Sequence, residues 1–221
     1  MKYQYLLFDL DGTLIDTTEG VYKSAQHALK QFNINVNLED LKPIFGPPLK
    51  YSFLNLFSLS DEDASKAVEI YLERYQVHGV NESRVFDEVP KLLADLKDAG
   101  YRMGVATSKY EAHAISALEH YNIAHYFDYI TGANINETIS KKHEVIEESL
   151  KRFNITNNRK SALMIGDMKY DIEGAKIAGI DSFGIYTGTA SLLEHEKAGA
   201  TYIAHSFNEL SQKLLDEFYL E

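Results

Sequence analysis

The segment Leu6-Leu7-Phe8-Asp9-Leu10-Asp11-Gly12-Thr13 carries an apolar stretch into two carboxylates one residue apart. In extended backbone, residues i and i+2 project to one side, so Asp9 and Asp11 share a side while Leu10 points away. One carboxylate of such a pair can attack phosphorus and form an aspartyl phosphate. The other can protonate the leaving oxygen and later deprotonate the water that hydrolyses the intermediate. Gly12 allows a sharp turn with no Cβ in the way of the phosphate. Two more acids stand in Gly166-Asp167-Met168-Lys169-Tyr170-Asp171, Thr107 and Ser108 close another apolar run, and Lys141 and Lys142 precede a helical pattern.

These residues matter only if the chain brings them together. Residues 3–9 predict a buried strand. Further strands are expected at 101–107, 127–131, 161–166, 182–186 and 201–205, separated by helical patterns at about 87–99, 110–121 and 142–153, through 172–179, from about 190, and at the end of the chain. Strands alternating with helices indicate an α/β class: a doubly wound parallel sheet with helices on both faces. The first strand must join that sheet, because one strand cannot stand alone. Residues 17–83 read differently. Val21, Ala25, Ala28, Leu29 and Phe32 fall on one helical face, and Gly46, Pro47 and Pro48 mark a rigid loop. Ser60 with Asp63 predicts a helix start, whose inward face carries Ala64, Ala67, Val68, Tyr71 and Tyr75. The predicted organisation is an α/β core, 1–16 and 84–221, interrupted by an all-helical insertion, 17–83.

In open α/β sheets the ligand site is the crevice outside the carboxyl ends of the strands. Asp9, Asp11, Thr107, Ser108 and Asp167 all fall at such ends, with Asp171 one helical turn after Asp167 and Lys141 or Lys142 before a helix. Converging carboxylates raise one another's pKa. A hard cation resolves the repulsion, and Mg²⁺ takes one or two carboxylates with waters and a phosphate oxygen. Asp9 and Asp167 are the expected ligand pair, with the backbone carbonyl of Asp11. Asp171, four residues after Asp167 and expected on the same helix face, would orient waters or the lysine. Thr107 would donate to phosphate, and the N–H groups around Gly12 and Ser108 would cradle its oxygens. Lys50, on the insertion, is a further candidate contact to substrate.

Composition bounds the partners. The 221 residues carry 33 acidic and 22 basic side chains, a net charge of −11, which argues against nucleic-acid polymers and anionic membranes. The absence of cysteine excludes disulfides, thiolate metal sites and a Cys nucleophile. No apolar run approaches the roughly 20 residues of a membrane span, and the chain opens on a strand pattern without a signal-like lead. A cytoplasmic protein, monomeric or weakly dimeric, is expected. The histidines show no metal-binding spacing and are expected mostly at the surface.

The arrangement resembles the haloacid dehalogenase-like phosphohydrolases. Asp9-Leu10-Asp11-Gly12-Thr13 resembles that family's first motif, D-x-D-G-T; Thr107 resembles the second; Gly166-Asp167-Met168-Lys169-Tyr170-Asp171 resembles the fourth, G-D-x-x-x-D. The third is a lone lysine. The run Lys142-His143-Glu144-Val145-Ile146 resembles the opening of the relevant helix in relatives and favours Lys142 over Lys141. The insertion resembles the helical cap of one branch, and Gly46-Pro47-Pro48-Leu49 resembles the loop of the phosphoglycolate phosphatase and bacterial 5′-nucleotidase-like group. The sequence departs from the family in three places: no proline follows the lysine, Ser108 stands where Asn is common, and the loop at 186–190 differs from the Gly-rich version expected there.

The resemblance implies a Mg²⁺-dependent phosphatase acting on a small phosphate monoester, phosphoglycolate or a nucleoside monophosphate first. A phosphomutase similar to β-phosphoglucomutase, or a pyrophosphatase, is the alternative on the same fold. A dehalogenase needs neither Asp11 nor Asp167. A phosphoacceptor receiver domain would carry its Asp on a later strand and has no place for the insertion.

Overall fold

The computed structural model describes residues 1–45, 47–134, 138–188 and 192–220. Gly46 of the rigid loop, and residues 189 and 190 of the loop at 186–190, lie outside them. The described chain forms two compact units, Met1–Ile15 with Val85–Glu221, and Asp16–Arg84.

The chain opens with β1 (Tyr5–Phe8), then β2 (Ile15–Asp16). The helical unit follows with α1 (Thr18–Lys30), α2 (Leu49–Phe57) and α3 (Asp61–Arg74), and β3 (Arg84–Val85) pairs with β2 as the chain leaves it. Then come α4 (Val89–Asp98), β4 (Arg102–Tyr110), α5 (Glu111–His120), β5 (Tyr129–Ala133), α6 (Lys142–Arg152), β6 (Ala162–Gly166) and α7 (Lys169–Ala178). The last elements are β7 (Asp181–Ile185), α8 (Leu192–Ala198), β8 (Tyr202–Ala204), α9 (Phe207–Gln212) and α10 (Phe218–Leu220).

Six strands form one parallel sheet in the order β5-β4-β1-β6-β7-β8. Strand alternation divides its apolar residues between two cores. Leu6, Phe8, Val105, Leu163, Ile165 and Phe183 pack with α4, α5 and α9 on one face. Leu7, Ala106 and Met164 pack with Val145, Ile146 and Leu150 of α6 and Ala175 of α7 on the other. Both faces are covered, as a doubly wound sheet requires. The chain builds outward from β1 to β5, then returns to β6 on the other side of β1. The carboxyl end of β1 therefore sits where the strand order reverses, the place such sheets reserve for ligands.

The two-residue strands β2 and β3 are not among the strands expected from the sequence, and β4 and β5 differ from their expected limits. β5 begins at Tyr129 rather than 127, because a 3₁₀ turn at Ala124–Tyr126 precedes it and the Asp128 carboxylate is engaged by Arg102 and the N–H of Met103. β4 continues to Tyr110 through a register shift between Ala106 and Tyr110. That irregular stretch carries Thr107, Ser108 and Lys109, in keeping with the habit of bulges to re-aim side chains beside active sites.

The helical unit has its own core of Val21, Ala25, Leu29, Phe53, Ala64, Ala67, Tyr71 and Tyr75. Ser60 caps α3, its Oγ accepting the N–H of Asp63 at 3.1 Å. Among the described residues no helix is long and apolar enough to cross a membrane.

Candidate active site

The turn after β1 sets the first acids. The N–H groups of Thr13 and Leu14 both donate to the carbonyl of Leu10, and Gly12 takes φ +85°, a conformation that favours glycine. A Cβ on Gly12 would lie 2.4 Å from Asp167 Oδ2, so the absent side chain is also what lets the β1 and β6 loops approach. Thr13 Oγ1 donates to Asp167 Oδ1 at 2.8 Å and ties the two loops directly.

Three buried carboxylates converge there. Asp9, Asp167 and Asp171 each offer an oxygen, and all three lie within 4.8 Å of one another. Lys142, at the start of α6, reaches into this group. Its ammonium lies 2.7 Å from Asp9 Oδ1 and 2.8 Å from Asp171 Oδ1, and donates to the carbonyl of Ala106 at 3.0 Å. Two ion pairs and one hydrogen bond hold the ammonium in place. Lys141 is exposed and caps the helix instead, so it is Lys142 that joins the acids. Glu144 fixes that helix start by accepting the N–H groups of Ser140 and Lys141, which hold its carboxyl below the usual range.

Burial, helped by the neighbouring Asp171, pushes the Asp9 carboxyl up to about 6, against the downward pull of Lys142. Burial by itself disfavours the Lys142 ammonium, but the Asp171 and Asp9 carboxylates outweigh it and hold the group protonated well above the usual lysine range. An all-oxygen, anionic donor set at this spacing suits a hard divalent cation such as Mg²⁺.

Asp171 was expected to share a helix face with Asp167, and it does not. Helix α7 begins at Lys169, so Asp167 belongs to the strand-end loop. The two meet because Asp171, in the first helical turn, folds back. Its Oδ2 accepts the N–H of Met168 at 3.0 Å, while Oδ1 faces Lys142. Asp171 thus both caps α7 and orients the lysine.

Asp11 stands apart from the three-acid group. Its carboxylate is gripped by Lys109, whose ammonium lies 2.9 and 3.0 Å from the two oxygens. Sequence reasoning missed Lys109, because the register of β4 shifts between Ala106 and Tyr110 and simple strand alternation does not place its side chain. Thr107 is buried and its Oγ1 accepts the N–H of Lys109 at 3.2 Å, leaving the hydroxyl proton to donate elsewhere. Ser108, between them, is partly exposed. Lys50 belongs to α2 of the helical unit, and its ammonium sits 2.9 Å from Asp61. One histidine departs from the surface expectation: His195 of α8 is fully buried, and its Nε2 lies 2.7 Å from the carbonyl oxygen of Asp167.

Comparison with known proteins adds independent evidence. The sequence model of the haloacid dehalogenase-like hydrolases matches residues 6–185, a span that includes every acid of the site. A 5′-nucleotidase of Pseudomonas aeruginosa is 36% identical over 192 residues, 86% of each chain. The tyrosine-protein kinase PtkA of Mycobacterium tuberculosis is 34% identical over 214 residues, 96% of this chain and 72% of that one. Among solved structures, a predicted phosphatase from Clostridium acetobutylicum superposes with a TM-score of 0.93 at 40% identity, covering 98% of this chain and all of that one. With its motifs gathered at the switch point of the sheet and the family match running through them, the chain belongs to the haloacid dehalogenase-like hydrolases.

Proposed function

We propose that the protein is a Mg²⁺-dependent phosphatase of small phosphate monoesters, working through a phosphorylated Asp9. The observation that carries this reading is the position of Asp9: a buried carboxylate at the reversal point of the sheet, touching one ammonium and grouped with two further acids. In the first step an Asp9 oxygen attacks phosphorus, the bond to the ester oxygen breaks, and Asp11 gives that oxygen its proton. In the second, water loses a proton to Asp11 and attacks the same phosphorus, releasing inorganic phosphate and restoring the Asp9 carboxylate. Thr107 and Lys142 bind and orient phosphoryl oxygens, with the backbone N–H groups near Gly12 and Ser108. Asp9, Asp167 and the Asp11 carbonyl would hold the cation, which supplies charge neutralisation for the transferring group. Asp171 acts through Lys142.

Nucleoside monophosphates head the substrate list, supported by the likeness to the Pseudomonas aeruginosa 5′-nucleotidase, and phosphoglycolate follows. Substrate choice is assigned to the helical unit, as a cap, with Lys50 a contact of that cap. The test is phosphate release from a panel of nucleoside monophosphates, phosphoglycolate, pyrophosphate and sugar phosphates, with and without Mg²⁺. The wild type should release phosphate only with the cation, and Asp9→Asn should lower kcat by at least about 10³-fold, the scale expected when a nucleophile is lost. Undiminished turnover by Asp9→Asn would overturn the proposal. Phosphate passed to a protein tyrosine without net release would move the chain toward the activity named in PtkA.

A further inference from the structure

We propose that His195 is a positioning residue that fixes the Asp167 loop for cation binding, a proposal that rests on reading the three acids as a cation site. His195 is fully buried, and a buried imidazole costs stability unless its polar atoms are used. One of them is. Nε2 lies 2.7 Å from the main-chain oxygen of Asp167, and because a carbonyl only accepts, Nε2 is the donor. The other, Nδ1, is buried and meets no hydrogen-bond partner among the described residues. A leucine would fill the same space without leaving a polar atom unsatisfied. The imidazole is therefore explained by the one bond it makes, and that bond ends on the residue offering a central carboxylate.

The neighbouring sequence also makes room for it. A Cβ on Gly184 would lie 2.8 Å from His195 Cγ and Nδ1, so β7 carries no side chain where the ring packs. Gly184 is in register with Gly166, the residue before Asp167, so the ring bridges from β7 to the end of β6. The same stretch of chain makes a second contact with the site: Thr187 Oγ1 donates to the carbonyl of Gly12 at 2.6 Å. Between them, Thr187 and His195 hold the main chain of both acid-bearing loops, from outside the acids themselves. Hydrogen bonds that orient a ligand residue tune metal affinity even though they never touch the metal.

The test separates positioning from packing. His195→Leu keeps the apolar volume and removes the donor; His195→Gln places an amide N–H near the position of Nε2. Mg²⁺ affinity is measured by titration calorimetry, and the melting temperature of the metal-free protein is recorded separately. His195→Leu should weaken Mg²⁺ binding about tenfold, and His195→Gln should recover it to within about threefold, whatever each does to the metal-free melting temperature. If both variants bind Mg²⁺ like the wild type, with only stability changed, His195 is a packing residue and the proposal falls. If His195→Gln binds as weakly as His195→Leu, the hydrogen bond is not the cause and the proposal falls too. A wild type that binds no Mg²⁺ would overturn the cation reading itself, and this inference with it.

Discussion

Asp9 is the residue at which folding and chemistry pull in opposite directions. Burial raises its carboxyl from the ordinary value near 3.8 to about 6, so between those values the folded state holds a proton that the unfolded state has lost. Stability therefore falls as pH rises from about 4 to about 6 and stays reduced above that. Asp9→Asn removes the cost and leaves Lys142 paired with Asp171. The metal-free variant should be more stable than the wild type at pH 7.5, by on the order of 1–3 kcal/mol, and the gain should vanish near pH 4. Urea denaturation at the two pH values measures both. A variant less stable than the wild type at pH 7.5 would mean that the Lys142 pair, rather than burial, dominates Asp9. Asp9, Asp11 and Asp167 were legible in the sequence because their motifs place acids at strand ends. Lys109 was not, since its role depends on the irregular register of β4, and neither was His195, whose partner is a main-chain atom 28 residues away.

At the level of elements, the site depends on where side chains are missing. Gly166 ends β6, and a Cβ there would fall 2.2 Å from Asp171 Cγ and 2.3 Å from its Oδ2. No small adjustment clears that overlap, because Asp171 is held on one side by the N–H of Met168 and on the other by Lys142. Gly166→Ala should therefore displace the first turn of α7. The expected loss is on the order of 1–3 kcal/mol, the range for overpacking a close-packed site, with a smaller rise in melting temperature on adding Mg²⁺ than the wild type gives. A variant that melts and responds like the wild type would show that Asp171 has freedom these contacts deny. The alternation of strand and helix was readable from periodicity, and so was the helix start at Ser60. The register shift in β4 and the two-residue displacement of β5 were not, because strand limits are set by pairing partners and side-chain hydrogen bonds that no local pattern encodes.

On the scale of the whole molecule, the chain supports separate cores. The sheet is packed on both faces by residues of the α/β unit, and the helical unit buries Val21, Leu29, Phe53 and Tyr71 among its own helices. All three acids of the proposed cation site belong to the α/β unit. A ligand stabilises the state that binds it, by about 2.7 kcal/mol at a hundredfold excess over its Kd, and that gain is confined to the structure which must open to release it. Mg²⁺ should accordingly slow amide hydrogen exchange in β1, in β6 and in the first turn of α7, while α1 and α3 exchange at unchanged rates. Asp167→Asn should abolish the slowing. Equal protection of both units by Mg²⁺ would show that they open together, and that the cation's effect is not local to the acid-bearing loops. The net charge of −11 points away from polyanionic partners but carries no information on which ester is cleaved. The α/β unit holds Asp9, Asp11, Thr107, Lys142 and Asp167, to which the proposed reaction is assigned, and all of them fall within the residues that the family model matches. The helical unit, to which we propose that substrate selection belongs, is described by its sequence as a packed set of helices and little more.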